Sequence, residues 1–291
     1  MTMKQSFAWV GIALLVVTSV GCSRSNLSAH KVSPKSAVQP DVADAASQGH
    51  AVTLKALLDT GMVEVNAVDS HGDCLLTLAQ ENREPLTTEV LLSAGADPNL
   101  QLPGGATPLL KAVEGYNLSE IVAALIKHGA KVNTPDAKGR TPLMAALENE
   151  GQPEVVSLLL DNGADPNTKI ADGTSVLTFA AKSGKKTLVK DVLDRGADVN
   201  LKGKSGIPPL EVAVLAGCRS NEDKYAEVVD LLLAKGADVN PKDPNGYTPL
   251  LAAYDANGYV DNTVRIVRML LEHHSDVNAT TSSGETAPIR R

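Results

Sequence analysis

A phrase of the form Gly-Ala-x-x-Asn stands at Gly95–Asn99, Gly129–Asn133, Gly163–Asn167, Gly196–Asn200 and Gly236–Asn240, with copies 34, 34, 33 and 40 residues apart. Weaker copies flank the series, Gly61–Asn66 upstream and His274–Asn278 downstream, where His274 replaces the Gly. A second register accompanies the first. Each of the seven Asn residues is followed six positions later by a Gly: Gly72, Gly105, Gly139, Gly173, Gly206, Gly246 and Gly284. A fixed period of this size restricts the chain to folds that stack one small unit on copies of itself, because such a unit cannot bury its apolar face alone.

The unit itself is legible. Four residues after those glycines come Leu76, Leu109, Leu143, Leu177, Leu210 and Leu250, and seven after come Ala79, Ala112, Ala146, Ala180, Ala213 and Ala253; the last copy has Pro288 and Arg291 instead. Leu and Ala three residues apart share a helix face, the Leu to fill a core and the Ala to let the next helix approach. Thr107-Pro108, Thr141-Pro142 and Thr248-Pro249 place a capping hydroxyl before a Pro at the first helical position, where its missing N–H costs nothing. A second helix then ends in an apolar pair, such as Leu125-Ile126 or Leu159-Leu160, shortly before the phrase Gly, which stops the helix. The predicted unit is helix, turn, helix, long loop.

Composition agrees. Hydrophobic residues make up 43% of the chain but aromatic residues only 3%, so the core consists of Leu, Val, Ala and Ile in thin, closely stacked elements. The net charge of -7 and the lack of any long Lys/Arg run exclude nucleic acid as a partner, and the acidic total favours a protein partner with a basic face.

The N-terminus reads as a targeting signal. Lys4 precedes an apolar run from Phe7 to Ser19, too short to span a bilayer comfortably. The run leads into Ser19-Val20-Gly21-Cys22, which resembles a bacterial lipobox except that Ser19 stands where Leu is preferred. The resemblance implies a lipoprotein signal peptide over residues 1–21, lipidation of Cys22, and, from Ser23 after it, an outer-membrane lipoprotein facing the periplasm of a Gram-negative bacterium. Residues 22–40 are polar, Pro-containing and aperiodic, and read as a flexible tether. Cys74 and Cys218 lie four repeats apart, roughly 40 Å at about 10 Å per layer, so two free thiols are expected rather than a disulfide.

Together the two registers and the Thr-Pro-Leu starts resemble the ankyrin repeat over about 250 residues. The resemblance implies an all-α ankyrin-repeat solenoid of about seven helix-turn-helix repeats plus a partial C-terminal one, over 41–291: 41–66, 67–99, 100–133, 134–167, 168–200, 201–240, 241–278 and the partial 279–291. The family's His after the Leu is replaced by Leu110, Met144, Thr178, Glu211 and Leu251, which removes a local hydrogen-bond network. The family's mode of binding places a protein partner on loop tips and first helices. The tip candidates are Gln101, Leu102, Lys138, Arg140, Lys169, Ile170, Lys202, Lys204, Lys242 and Asn245, several of them basic. A second candidate surface lies where the Asn-to-Asn spacing lengthens to 40 and then 38 residues, with Tyr225, Tyr247, Tyr254 and Tyr259 in or near the two insertions. Simple packing of the lengthened turns would explain those tyrosines equally well.

No catalytic constellation emerges. None of the six His residues has metal-ligand spacing, Cys74 replaces the Thr of Thr-Pro-Leu as a small packed residue, and Pro103-Gly104-Gly105 lacks the Lys-Ser/Thr of a phosphate loop. The expectation is a non-enzymatic module without metal or cofactor, monomeric until it binds another protein, and touching the membrane through its lipid only. That partner is either a secreted toxin, which the chain would neutralise as an immunity protein or inhibitor, or a resident periplasmic enzyme that it would scaffold or stabilise; the remaining alternative is an enzyme with an unrecognised site.

Overall fold

The computed structural model describes residues 38–115, 118–148, 152–169, 173–203, 206–220, 222–256 and 260–286. Fourteen α-helices form seven pairs among these residues, and no strand is present, only isolated bridges such as Lys169 with Ser175. The chain divides into two compact units, Met1–Ala96 and Asp97–Arg291.

The first unit holds α1 (Pro40–Ser47), α2 (Ala51–Leu58), α3 (Leu75–Gln80) and α4 (Pro85–Ser93). Helix α1 packs on α2 and α3, and α4 on α2 and α3, around the fully buried Leu54, Leu75, Leu76 and Leu91. Pro40, the last tether residue by sequence, already sits in the first turn of α1. Cys74 caps α3 in the place of the usual Thr: Thr77 Oγ1 accepts from the Cys74 N–H at 3.0 Å, closing a capping box.

The second unit holds α5 (Pro108–Glu114), α6 (Ser119–Lys127), α7 (Pro142–Glu148), α8 (Pro153–Asp161), α9 (Val176–Ser183), α10 (Lys186–Asp194), α11 (Pro209–Cys218), α12 (Lys224–Ala234), α13 (Pro249–Asp255) and α14 (Val260–Glu272). The first helices α5, α7, α9, α11 and α13 lie side by side in one layer, the second helices α6, α8, α10, α12 and α14 in another, and each first helix packs on its own second. The repeated Leu and Ala line this interface: Leu109, Leu143, Leu177 and Leu210 are at most 1% exposed, and Ala112, Ala146, Ala180 and Ala213 are fully buried. Each such Leu contributes about 2 kcal/mol by burial, while the Ala removes bulk that would hold the layers apart. Hydroxyls cap the starts as the motif requires, with Thr107, Ser175 and Thr248 accepting from the N–H three residues on.

The repeated Asn is the stitch between neighbours. Asn99 Nδ2 donates to the Gly129 carbonyl at 2.9 Å while Asn99 Oδ1 accepts from the Lys131 N–H at 2.8 Å. Asn133 does the same to Gly163 and Asp165, Asn167 to Gly196 and Asp198, and Asn240 to His274 and Asp276. The phrase Gly lets the chain turn left-handed on leaving the second helix; Gly196 has φ 94° and His274, standing in its place, φ 66°. The Gly six positions after Asn is left-handed too, and at Gly246, φ 81°, there is a second demand, since a Cβ would lie 2.6 Å from the Ser282 nitrogen of the next loop.

Candidate functional site

The loop between repeats is built to hold a tip rigidly. Two residues before most of the ladder asparagines, though not Asn133, an Asp turns back on the chain, as where Asp165 Oδ1 accepts from the Asn167 N–H at 2.8 Å. Three residues after the Asn a second Asp closes some of the tips: Asp136 Oδ1 accepts from the Lys138 and Arg140 N–H groups at 2.8 and 2.9 Å, and Asp243 Oδ1 from Asn245 and Tyr247 at 2.8 and 2.7 Å. The tip backbone is therefore fixed by its own side chains.

Several candidate tip residues project from this frame. Gln101, Lys138, Lys169, Lys202, Lys242 and Asn245 are exposed. Lys169 Nζ reaches across to the Lys202 carbonyl at 2.7 Å, and Lys202 Nζ to the Lys242 carbonyl at 3.0 Å. Two candidates do not fit the expectation. Leu102 is only 5% exposed: the loop folds back through the Leu102 N–H to Ala106 O bond at 2.8 Å and turns the side chain into the stack, so it offers no contact area. Arg140 is half-buried and already committed, its guanidinium pairing with Asp136 at 3.2 Å, Glu148 at 3.1 Å and Glu114. Burial works against its charge, but the three carboxylates Glu148, Asp136 and Glu114 outweigh it and hold the pKa above the ordinary value. It welds two repeats together. Ile170, Lys204 and Tyr259 lie outside the described residues, as does Cys22.

The two lengthened turns do meet. Asn262, buried at the start of α14, donates through Nδ2 to the Ser220 carbonyl at 2.8 Å and the Glu222 carbonyl at 3.2 Å, and Arg265 pairs with Asp223 at 2.9 Å. Of the tyrosines, Tyr225 is half-buried with Lys224 Nζ 5.1 Å from its ring centre, and Tyr247 is half-buried with its hydroxyl donating to Asp255 Oδ2 at 3.2 Å. Tyr254 is 41% exposed.

Sequence reasoning passed over Glu211 as a site. It stands on α11 where the other repeats carry Leu110, Met144 or Leu251, is 2% exposed, and its Oε2 has no hydrogen-bond partner. Burial, with a further push from the Asp243 carboxylate and against the pull of Lys202, raises its pKa from 4.5 to about 7. Its position in the His slot of the repeat was the available signal. Among the described residues no group of three or more His, Cys, Asp or Glu could hold a metal ion, and no helix is long and apolar enough to cross a membrane. Cys74 and Cys218 are buried, unpaired thiols whose pKa burial pushes up, the opposite of an activated nucleophile.

Paired antiparallel helices, a hydroxyl-capped start, a left-handed stop and an asparagine stitch define a stacked helical-repeat protein. Family models for ankyrin repeats match residues 79–170 as a three-copy array and residues 205–244 and 245–282 as single repeats, together more than half of the chain. The chain belongs to the ankyrin repeat family. It is similar to the crystal structure of the ankyrin repeat domain of Bcl-3, a member of the IkappaB protein family, with 26% identity and TM-score 0.68 over 79% of this chain and 98% of that one. It is also similar to an ankyrin repeat domain from Acinetobacter baumannii AYE, with 28% identity and TM-score 0.61 over 68% of this chain and 98% of that one. No curated protein matches it. Domains of this family are typically protein-binding modules without catalysis of their own.

Proposed function

We propose that the chain is a non-enzymatic capture module, held in the cell envelope by a lipid on Cys22, that binds one protein partner in the periplasm. One observation carries the binding half of this reading. The residues that recur in every unit, Leu, Ala, Gly and Asn, are consumed in holding the stack, whereas the tip residues Gln101, Lys138, Lys169, Lys202 and Lys242, which the stack does not need, stand exposed on a fixed backbone. Such a division between scaffold and display suits recognition of a surface. The Ser19–Cys22 sequence supports the anchoring half. An inhibitor or immunity protein against an incoming toxin profits most from this arrangement, because a tether concentrates it where the toxin acts.

The test has two arms. Mass spectrometry of the membrane fraction should show a diacylglyceryl or acyl adduct at Cys22 that disappears in Cys22→Ser; an unmodified Cys22 would remove the anchor from the proposal. In vivo crosslinking from Lys138 or Lys242, followed by affinity capture, should yield one dominant protein. A secreted hydrolase or nuclease supports inhibition, and no specific protein in repeated captures sinks the binding role.

A further inference from the structure

Three loop-tip lysines share one register. Lys169, Lys202 and Lys242 each stand two residues after the stitching Asn of successive repeats, and all three are exposed. The first two lie along the stack, each donating to the backbone carbonyl of the next tip at 2.7 and 3.0 Å, so their ammonium groups are held in place before any partner arrives. None of the three has a carboxylate within ion-pair distance among the described residues. On the second helices the situation is reversed: Lys186, Lys190, Arg195, Lys224, Lys235 and Arg265 are each paired with an Asp or Glu.

Carboxylates are not scarce in a chain of 34 acidic and 27 basic residues. Those nearest the tips are directed elsewhere. Asp165, Asp198 and Asp238 accept from the N–H groups of Asn167, Asn200 and Asn240, and Asp243 caps its own turn. Glu211, whose charge would bear most directly on Lys202, is sealed in the helix layer with Asp243 on its other side. Among the described residues the three ammonium groups thus form a line without direct carboxylate partners on a protein whose total is -7, opposite in sign to the face that the total suggests.

We propose that Lys169, Lys202 and Lys242 form a docking strip for an acidic protein segment laid along the stack. Its carboxylates would repeat about every 10 Å, the spacing of adjacent repeats and of residues seven apart on a helix. The proposal rests on the protein-binding reading above and names the chemistry of its partner. Because two of the three ammonium groups are already ordered, little side-chain entropy remains to be lost on docking.

The probe is a helical host peptide with a Glu at every seventh position, beside its Gln counterpart, titrated by fluorescence anisotropy into the full chain. The Glu peptide binds, the Gln peptide does not, and added salt weakens the complex. Charge reversal of the strip, Lys169→Glu with Lys202→Glu and Lys242→Glu, weakens binding at least about tenfold while the circular dichroism spectrum and Tm hold. The same reversal at Lys186, Lys190 and Lys224, equal in net charge, leaves affinity within about twofold. Equal losses in the two variants, binding of the Gln peptide, or no binding of either peptide overturns the strip. A protein captured from the envelope whose hold survives strip reversal overturns it too while leaving the capture role intact; failure to capture any protein strikes that role alone.

Discussion

At the residue scale, Glu211 and the stitching asparagines act in opposite directions on stability. Below pH 4.5 the Glu211 carboxyl is protonated in both folded and unfolded chains and adds no pH-dependent cost. Between 4.5 and 7 the unfolded chain releases its proton while the folded chain keeps it, so stability falls as pH rises, and above 7 the whole cost is present. A displacement from 4.5 to about 7 corresponds to about 3 kcal/mol. Urea titrations of Glu211→Gln should therefore match the parent near pH 4 and exceed it by about 2 to 3 kcal/mol at pH 8.5, and a gap that does not grow with pH would contradict the burial argument. The asparagines do the reverse. Asn167→Ala removes the partner of the Gly196 carbonyl and of the Asp198 N–H at once; both bonds are solvent-exposed, so water takes over part of the role and the loss should be about 1 kcal/mol. Asn278, equally exposed but with no such pair of bonds among the described residues, should lose less than about 0.5 kcal/mol on the same substitution, measured in the same titration.

At the element scale, the helices are too short to stand alone. Most have six to nine residues, as in α3 (Leu75–Gln80) and α6 (Ser119–Lys127), below the length at which an isolated helix persists in water. Their ends therefore matter. Among the first helices of the second unit, α11 departs from hydroxyl capping: Pro208 stands at its N-cap and makes no side-chain bond. Pro208→Thr would supply a hydroxyl for the Glu211 N–H, as Thr107 does for Leu110, and should raise stability by about 1 kcal/mol; a lower Tm would show that the Pro fixes the approach of the loop instead. Cys74 shows that the cap can be met another way, through Thr77.

At the scale of the whole second unit, each first helix packs only on its immediate neighbours in its layer, α5 on α7, α7 on α9, α9 on α11 and α11 on α13. Such a stack transmits perturbation by adjacency. Leu177→Ala removes a fully packed side chain from α9 and should cost about 2 to 5 kcal/mol. Hydrogen exchange should then rise most in α7 to α11 and least in α6, which packs on α5 and α8, whereas a uniform rise would describe one indivisible core.

The sequence by itself determined the period, the two helices of each unit, their caps and stops, and the face each buries, because all of these follow from local spacing: Leu and Ala three apart, Thr-Pro at a start, Gly at an end. It also located the exposed tips and the two lengthened turns. What it could not show was where side chains go once repeats are adjacent, since that depends on atoms some thirty residues away in the chain. Only the tertiary structure decided that Asn is a stitch rather than a turn residue, that Leu102 and Arg140 belong to the scaffold, and that Glu211 is buried without a partner. It decided the sign of the loop edge as well. The net charge counts carboxylates, but their directions, into backbone turns and second-helix ion pairs, leave Lys169, Lys202 and Lys242 exposed without an ion-pair partner among the described residues.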